Sequence, residues 1–220
     1  MSAAHARPRH HFDEALLIDY AAGNLPETLS ILVATHLSLC PACRAAVADA
    51  EAVGGALLEA LAPEALAPEA LDRVLARLDD EAPEEDAPEA PGAGGLPAPL
   101  RAYLGDDLKV LDWQQLAPGV DKVPLTPLSN IPWRPEEAVC LVRLQPGAVA
   151  PRHGHTGNEV TVIVRGGLAD GSGDYELGDA LIVDAGVTHA PVGLPGEPCL
   201  CLVYLEAPLL PIGDDHVASI

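Results

Sequence analysis

Residues 147–166 read GAVAPRHGHTGNEVTVIVRG, and the architecture of the second half of the chain follows from them. Side chains two apart on a strand point to the same side, so His153 and His155 can face one interior and converge on one ion. Glu159 opens the β-branched run EVTVIVRG and brings a carboxylate oxygen, and Gly147 and Gly166 bracket the group. Around it, AVCLVRL (138–144), DALIVDAG (179–186) and CLCLVYLEA (199–207) are short β-rich runs parted by PG, GSG, LGD and LPGEP turns. Strands of this length and spacing predict an antiparallel all-β domain of the jelly-roll kind over residues 100–220. Cys140, Cys199 and Cys201 fall inside these apolar runs, where a thiol acts as a small hydrophobe. Asp170, Asp174, Glu176 and Asp179 border the strands and are expected on a solvated face. Trp113 and Trp133 are expected to pack against the outer strands.

Upstream, EAPEEDAPEAPGAGGLPAP (81–99) has no apolar face to bury. Its prolines remove backbone donors and its acids repel, so it reads as a semi-extended linker. Residues 1–80 change period to helical. Asp13 can cap a helix carrying Leu16, Leu17 and Tyr20, and Gly23-Asn24 ends it. Pro26 suits the first turn of a second helix with Leu29, Leu32, Val33 and His36. A third runs from Pro41 to about Leu61, and Leu71, Val74, Leu75 and Leu78 mark a fourth. Four such helices predict an all-α bundle too small for a secure apolar core, so a staple is expected.

The staple is legible in His36-x3-Cys40-x2-Cys43. His36 and Cys40 share one helix face, and Pro41 starts a new turn that swings Cys43 back towards them. Two thiolates and an imidazole favour zinc, with one ligand still to find. His11 is the best placed, with His10 and His5 as fallbacks; His5, His10 and His216 are otherwise expected to face solvent. A redox CxxC is the competing reading, but the βαβ surroundings it needs are missing.

These residues carry two resemblances. HHFDEALLIDYAAGNL with VATHLSLCPAC resembles the zinc-binding anti-sigma domain, whose His-x24-His-x3-Cys-x2-Cys falls on His11, His36, Cys40 and Cys43. Gly147-x5-His153-x-His155-x3-Glu159-x6-Gly166 is similar to the first cupin motif at every position. Gly178-x5-Asp184-x-Gly186-x2-His189 resembles the second, which makes His189 the third histidine. Asp184 replaces the usual Pro of that motif and Gly193 its usual Asn, neither of them a ligand. Taken together the chain resembles the ChrR-type anti-sigma factors. That resemblance implies a zinc-bound helical domain (1–80), a linker (81–99) and a metal-binding cupin (100–220). It further implies inhibition of an extracytoplasmic-function-type sigma factor and release in response to singlet oxygen or a related oxidant. The cupin ion would be zinc, iron or manganese. The competing reading is a cupin metalloenzyme, a dioxygenase or isomerase, with an accessory zinc bundle. A weaker third makes Cys40 and Cys43 a thiol-disulfide switch.

Composition narrows the partners. The 220 residues carry 12 Lys+Arg against 33 Asp+Glu, a formal charge of −21, and 49% are hydrophobic. Such an acidic surface argues against direct binding to nucleic acid or to anionic membrane and suits a basic protein partner. Five cysteines are an odd count for a disulfide framework. With no apolar run of membrane-spanning length, the expectation is a soluble cytoplasmic protein.

Overall fold

The computed structural model describes residues 8–78, 95–127 and 133–212. His5, His216 and most of the 81–99 segment lie outside them. The helices are α1 (Glu14–Ala21), α2 (Glu27–Leu39), α3 (Pro41–Glu59), α4 (Ala70–Ala76) and α5 (Ala98–Leu104). The strands are β1 (Gln114–Ala117), β2 (Val120–Pro124), β3 (Ala138–Leu144), β4 (His153–Gly154), β5 (Glu159–Arg165) and β6 (Gly167–Asp170). They continue as β7 (Gly173–Glu176), β8 (Ala180–Val183), β9 (Thr188–His189), β10 (Val192–Gly193), β11 (Cys199–Leu205) and β12 (Leu210–Pro211).

The helices start where their caps direct. Asp13 accepts from the Leu16 amide at 2.8 Å, satisfying one orphan donor of α1, and Gly23 at φ +70° turns the chain away from its end. Cys40 is both the C-cap of α2 and the N-cap of α3, and Pro41 occupies the first turn of α3. The two helix axes bend by 118° across it. Arg44 donates to the Leu37 carbonyl and closes the exposed end of α2. The expected four-helix bundle is not what forms. Helices α1, α2 and α3 pack together, whereas α4 buries no side chain and leaves Leu71, Val74 and Leu75 exposed.

The strands form a six-stranded sheet, β1-β2-β3-β11-β5-β8, and two three-stranded sheets, β10-β6-β7 and β12-β4-β9, with antiparallel pairing throughout. The central strands β3, β11 and β5 are buried on both faces, which is why β11 reads as an unbroken apolar run and β3 is interrupted only by Arg143. Cys140, Val142 and Leu144 point into the barrel with Ile163, Leu181, Cys199 and Cys201. Val139 and Leu141 point outwards with Val160, Val162, Leu200 and Leu202.

That outer face is covered by α2 and α5. Leu32 and Val33 of α2 and Leu100 of α5 are wholly buried in one continuous core with it. Helix α2 buries Ile31, Leu32, Val33 and Leu37 between this sheet on one side and α1 and α3 on the other, at about 1.5–3 kcal/mol per fully buried side chain. Polar contacts pin its edge. The buried Glu137 carboxylate accepts from Thr28 Oγ1 and from the Tyr204 hydroxyl, both at 3.2 Å, and the Tyr103 hydroxyl donates to Glu27 at 2.9 Å. Leu96 is also buried, so the chain rejoins the barrel before α5 begins. Trp113 and Trp133 pack at the margin of this outer core, as expected. Among the described residues no single helix is long and apolar enough to cross a membrane.

Two candidate metal centres

The first group assembles where α1, α2 and α3 meet. His36 sits at the last turn of α2, Cys40 at the helix junction, Cys43 on the first turn of α3, and His11 on the segment entering α1. One ligand atom from each lies within 4.8 Å of all the others. His36 Nε2 is 3.2 Å from Cys43 Sγ, and His11 Nδ1 is 3.3 Å from Cys40 Sγ and 3.6 Å from Cys43 Sγ. Bonds of about 2.3 Å to sulfur and about 2.0 Å to nitrogen around a tetrahedral ion require nitrogen–sulfur edges of about 3.5 Å. The donor set therefore fits zinc in size and softness. His36, Cys40 and Cys43 are buried and His11 is exposed. His10, the fallback ligand, points elsewhere: its ring lies against Tyr175 at 4.5 Å, with Nδ1 3.2 Å from the Asp179 carboxylate. It is half-exposed rather than free in solvent.

Titration follows from this burial. Desolvation, reinforced by the neighbouring Cys40, pushes the Cys43 thiol up to about 11. Burial holds His36 below its ordinary value, against the pull of the Gly178 carbonyl. At neutral pH His36 is thus already an unprotonated donor, whereas Cys43 must shed a proton to bind. Apparent zinc affinity of this centre is expected to rise with pH, by at least about one log unit per pH unit between about pH 6 and 8. Competition against a chelator of known pH dependence measures the slope. A flat profile would mean that Cys43 does not bind as a displaced thiol.

The second group lies inside the barrel mouth. His153 and His155 come from β4 and the turn after it, Glu159 from the start of β5, and His189 from β9, which pairs with β4 so that His153 faces His189. All four are buried. His189 Nε2 is 2.9 Å from Nε2 of both His153 and His155. The Glu159 carboxylate is 3.7–4.0 Å from the three nitrogens. His153 Nδ1 donates to the Pro151 carbonyl at 2.7 Å and His189 Nδ1 lies 3.1 Å from Asp170. Those outer partners fix the tautomers and aim lone pairs inwards, where converging imidazoles cannot satisfy one another without a cation. Burial opposes protonation of His153, but Glu159 and the Pro151 carbonyl outweigh it and hold its pKa up. Burial dominates at His155, whose pKa is held down.

Two acids depart from the solvated face expected of them. Asp170 is buried against His189, and Asp179 is enclosed by backbone amides. Both sit beside a glycine in what reads as ordinary turn sequence, so nothing local marked them. The Gly193 departure has a steric reason: a Cβ there would run into the Gln145 carbonyl, which leaves no room for Asn. Beside His153 and Glu159 lies a cavity of about 70 Å³ walled by Val142, Leu144, Leu168, Leu181 and Cys201.

With both centres described, the relatives can be set beside them. The ChrR Cupin-like domain matches residues 105–208. Anti-sigma-E factor ChrR of Cereibacter sphaeroides is 40% identical over 201 residues, 91% of each chain. This chain belongs to the ChrR family. ChrR in the crystal structure of Rhodobacter sphaeroides SigE in complex with the anti-sigma ChrR superposes with a TM-score of 0.76 at 38% identity, covering 90% of this chain and all of that one. The likeness therefore spans the helical part and the cupin in one arrangement. A Ralstonia eutropha RmlC-like cupin overlaps 52% of this chain and 76% of its own at 21% identity and a TM-score of 0.41, too distant to argue from. The ChrR relative is a regulator rather than an enzyme, and the fold class is the one expected: a helical part with a His/Cys centre followed by an all-β cupin.

Proposed function

We propose that this ChrR-family protein is a cytoplasmic anti-sigma factor that holds an extracytoplasmic-function-type sigma factor through its helical part. The observation that carries the reading is the apolar face of α3, left open among the described residues. Val53, Leu57 and Leu58 are each more than 60% exposed, on a helix whose first turns belong to a metal centre. Isolated exposed apolar residues are ordinary, but a run of them at helical spacing marks a protein-binding face. The acidic charge of the chain complements a partner that is itself basic where it meets DNA.

Residues 1–80 form the partner-binding part, with zinc at His11, His36, Cys40 and Cys43. The cupin (100–220) regulates it, with a divalent ion, zinc, iron or manganese, at His153, His155, Glu159 and His189. Release answers singlet oxygen or a related oxidant meeting the cupin centre.

The test pairs wild type with a Glu159→Gln variant as bait in host lysate. Both should retain a sigma factor, and only wild type should release it under photosensitised singlet oxygen. No sigma factor on either bait overturns the anti-sigma reading. Release from the variant at the wild-type rate overturns the sensor role of the cupin.

A further inference from the structure

One turn of the cupin is built into the helical metal centre. The Gly178 carbonyl oxygen is 2.7 Å from His36 Nδ1, so that nitrogen carries the proton and donates, and Nε2 turns its lone pair towards Cys43. The next residue, Asp179, has a side chain only 1% exposed. Its Oδ1 accepts from the Arg9 amide at 2.6 Å and the His10 amide at 2.9 Å, and its Oδ2 accepts from the Glu176 amide at 2.9 Å. The Ala180 amide donates to the His10 carbonyl at 3.1 Å. Three hydrogen bonds therefore tie residues 9 and 10 to the barrel, and the next residue along the chain is His11. The fit is close: a Cβ on Gly178, whose φ is +86°, would stand 2.6 Å from Pro8 Cγ and 3.3 Å from Leu39 Cβ.

This tether answers a need. His11 precedes α1, is exposed, and owes its place to no helix. Buried amides and carbonyls demand partners, and here each set supplies the other. Asp179 is a strong anchor: burial opposes its ionisation, but the amides of Glu176, His10 and Arg9 more than offset that and hold its pKa low.

We propose that Gly178 and Asp179 are positioning residues for the His36 and His11 ligands, so that the helical part keeps its metal tightly only while docked on the cupin. The inference rests on the anti-sigma reading and names its regulation: whatever shifts this turn loosens the metal behind the partner-binding face. The turn leads directly into β8, which pairs with β5 from Glu159 to Val162, and the same segment reaches His189 ten residues after Asp179. One stretch of backbone thus serves both centres.

The experiment uses full-length protein loaded with Co²⁺. Thiolate-to-cobalt charge-transfer absorption reports the Cys40/Cys43 centre alone, and the cupin centre is read from the ligand-field absorption left after subtracting the thiolate centre's own ligand-field bands, recorded on a His153→Ala/His189→Ala variant whose cupin centre lacks two of its ligands. Loss of each signal is followed after adding excess chelator. Asp179→Ala should speed loss of the thiolate signal by about ten-fold or more, the scale on which outer partners of ligands act. Asp179→Asn, which keeps one acceptor oxygen for the Arg9 and His10 amides, should fall between it and wild type. Arg9→Pro removes the shortest of these donors without altering the barrel, and decides the matter if Asp179→Ala does not fold. It should speed thiolate loss and leave the cupin signal unchanged. Unchanged thiolate loss in Arg9→Pro, or equal acceleration at both centres, overturns the proposal. Sigma-factor binding is measured separately at saturating metal, so its absence from wild type would sink the anti-sigma reading while the cobalt rates still judge the tether.

Discussion

Replacing Cys40 and Cys43 together by serine is expected to melt α1 and α3, leave the barrel folded and abolish partner binding. The reason lies in what little else holds those helices. Only Leu17 is buried on α1, and only Cys43 and Val47 on the 19 residues of α3. At about 1.5–3 kcal/mol per buried side chain, these contacts fall short of the about 10–16 kcal/mol that a structural zinc supplies to a small domain. Helix propensity does not close the gap, because isolated helices of this length are marginal in water. The variant should lose a large share of its far-ultraviolet helical signal, retain the cupin metal, and show no binding to the sigma factor. Helix α2 should persist in part, since its apolar face packs on the barrel sheet. Full helicity with undiminished binding would show that metal at this centre is dispensable.

Converting the α3 face from apolar to charged should have a comparable effect on binding with none on folding. Val53 and Leu57 are four apart, on one side of the helix, and 63% and 67% exposed. The double change Val53→Glu with Leu57→Glu places two charges where a partner would have to desolvate them. Truncation of an interface anchor alone costs about 2 kcal/mol or more, so the pair should weaken sigma-factor affinity at least about 100-fold. Thermal midpoint and metal content should stay at wild-type values, because neither side chain is buried. Unchanged affinity would place the partner on another surface.

Much of this was legible along the chain. Strand period and helix period are local properties, and so the all-β cupin and the helical N-terminal part could be read from AVCLVRL, EVTVIVRG and the Leu16–Leu17–Tyr20 spacing. Ligand spacing is local too. His36, Cys40 and Cys43 lie within eight residues, and His153, His155 and Glu159 within seven, so helix and strand geometry brings each trio together. His11 could be read only as the best placed of three histidines until the resemblance singled it out, and His189 required the resemblance, since each is separated from its trio by more chain than local geometry spans. The bundle was over-read: α4 has helical spacing but nothing to bury it against among the described residues.

The apolar face of α2 could equally have closed a free-standing bundle. That it lies on the outer face of the barrel sheet instead depends on the shape of a surface assembled from β11 and β5, more than a hundred residues away. The roles of Asp170, Glu137, Gly178 and Asp179 belong to the same category. A carboxylate in a turn looks identical in sequence whether water or another segment's amides surround it. By itself the sequence determined which elements form and which side chains have metal-binding chemistry, because period, capping and ligand spacing act over a few residues. Only the tertiary structure decided that the cupin and the His/Cys centre share a core and a set of hydrogen bonds, because burial and desolvation depend on what distant segments bring to the same place.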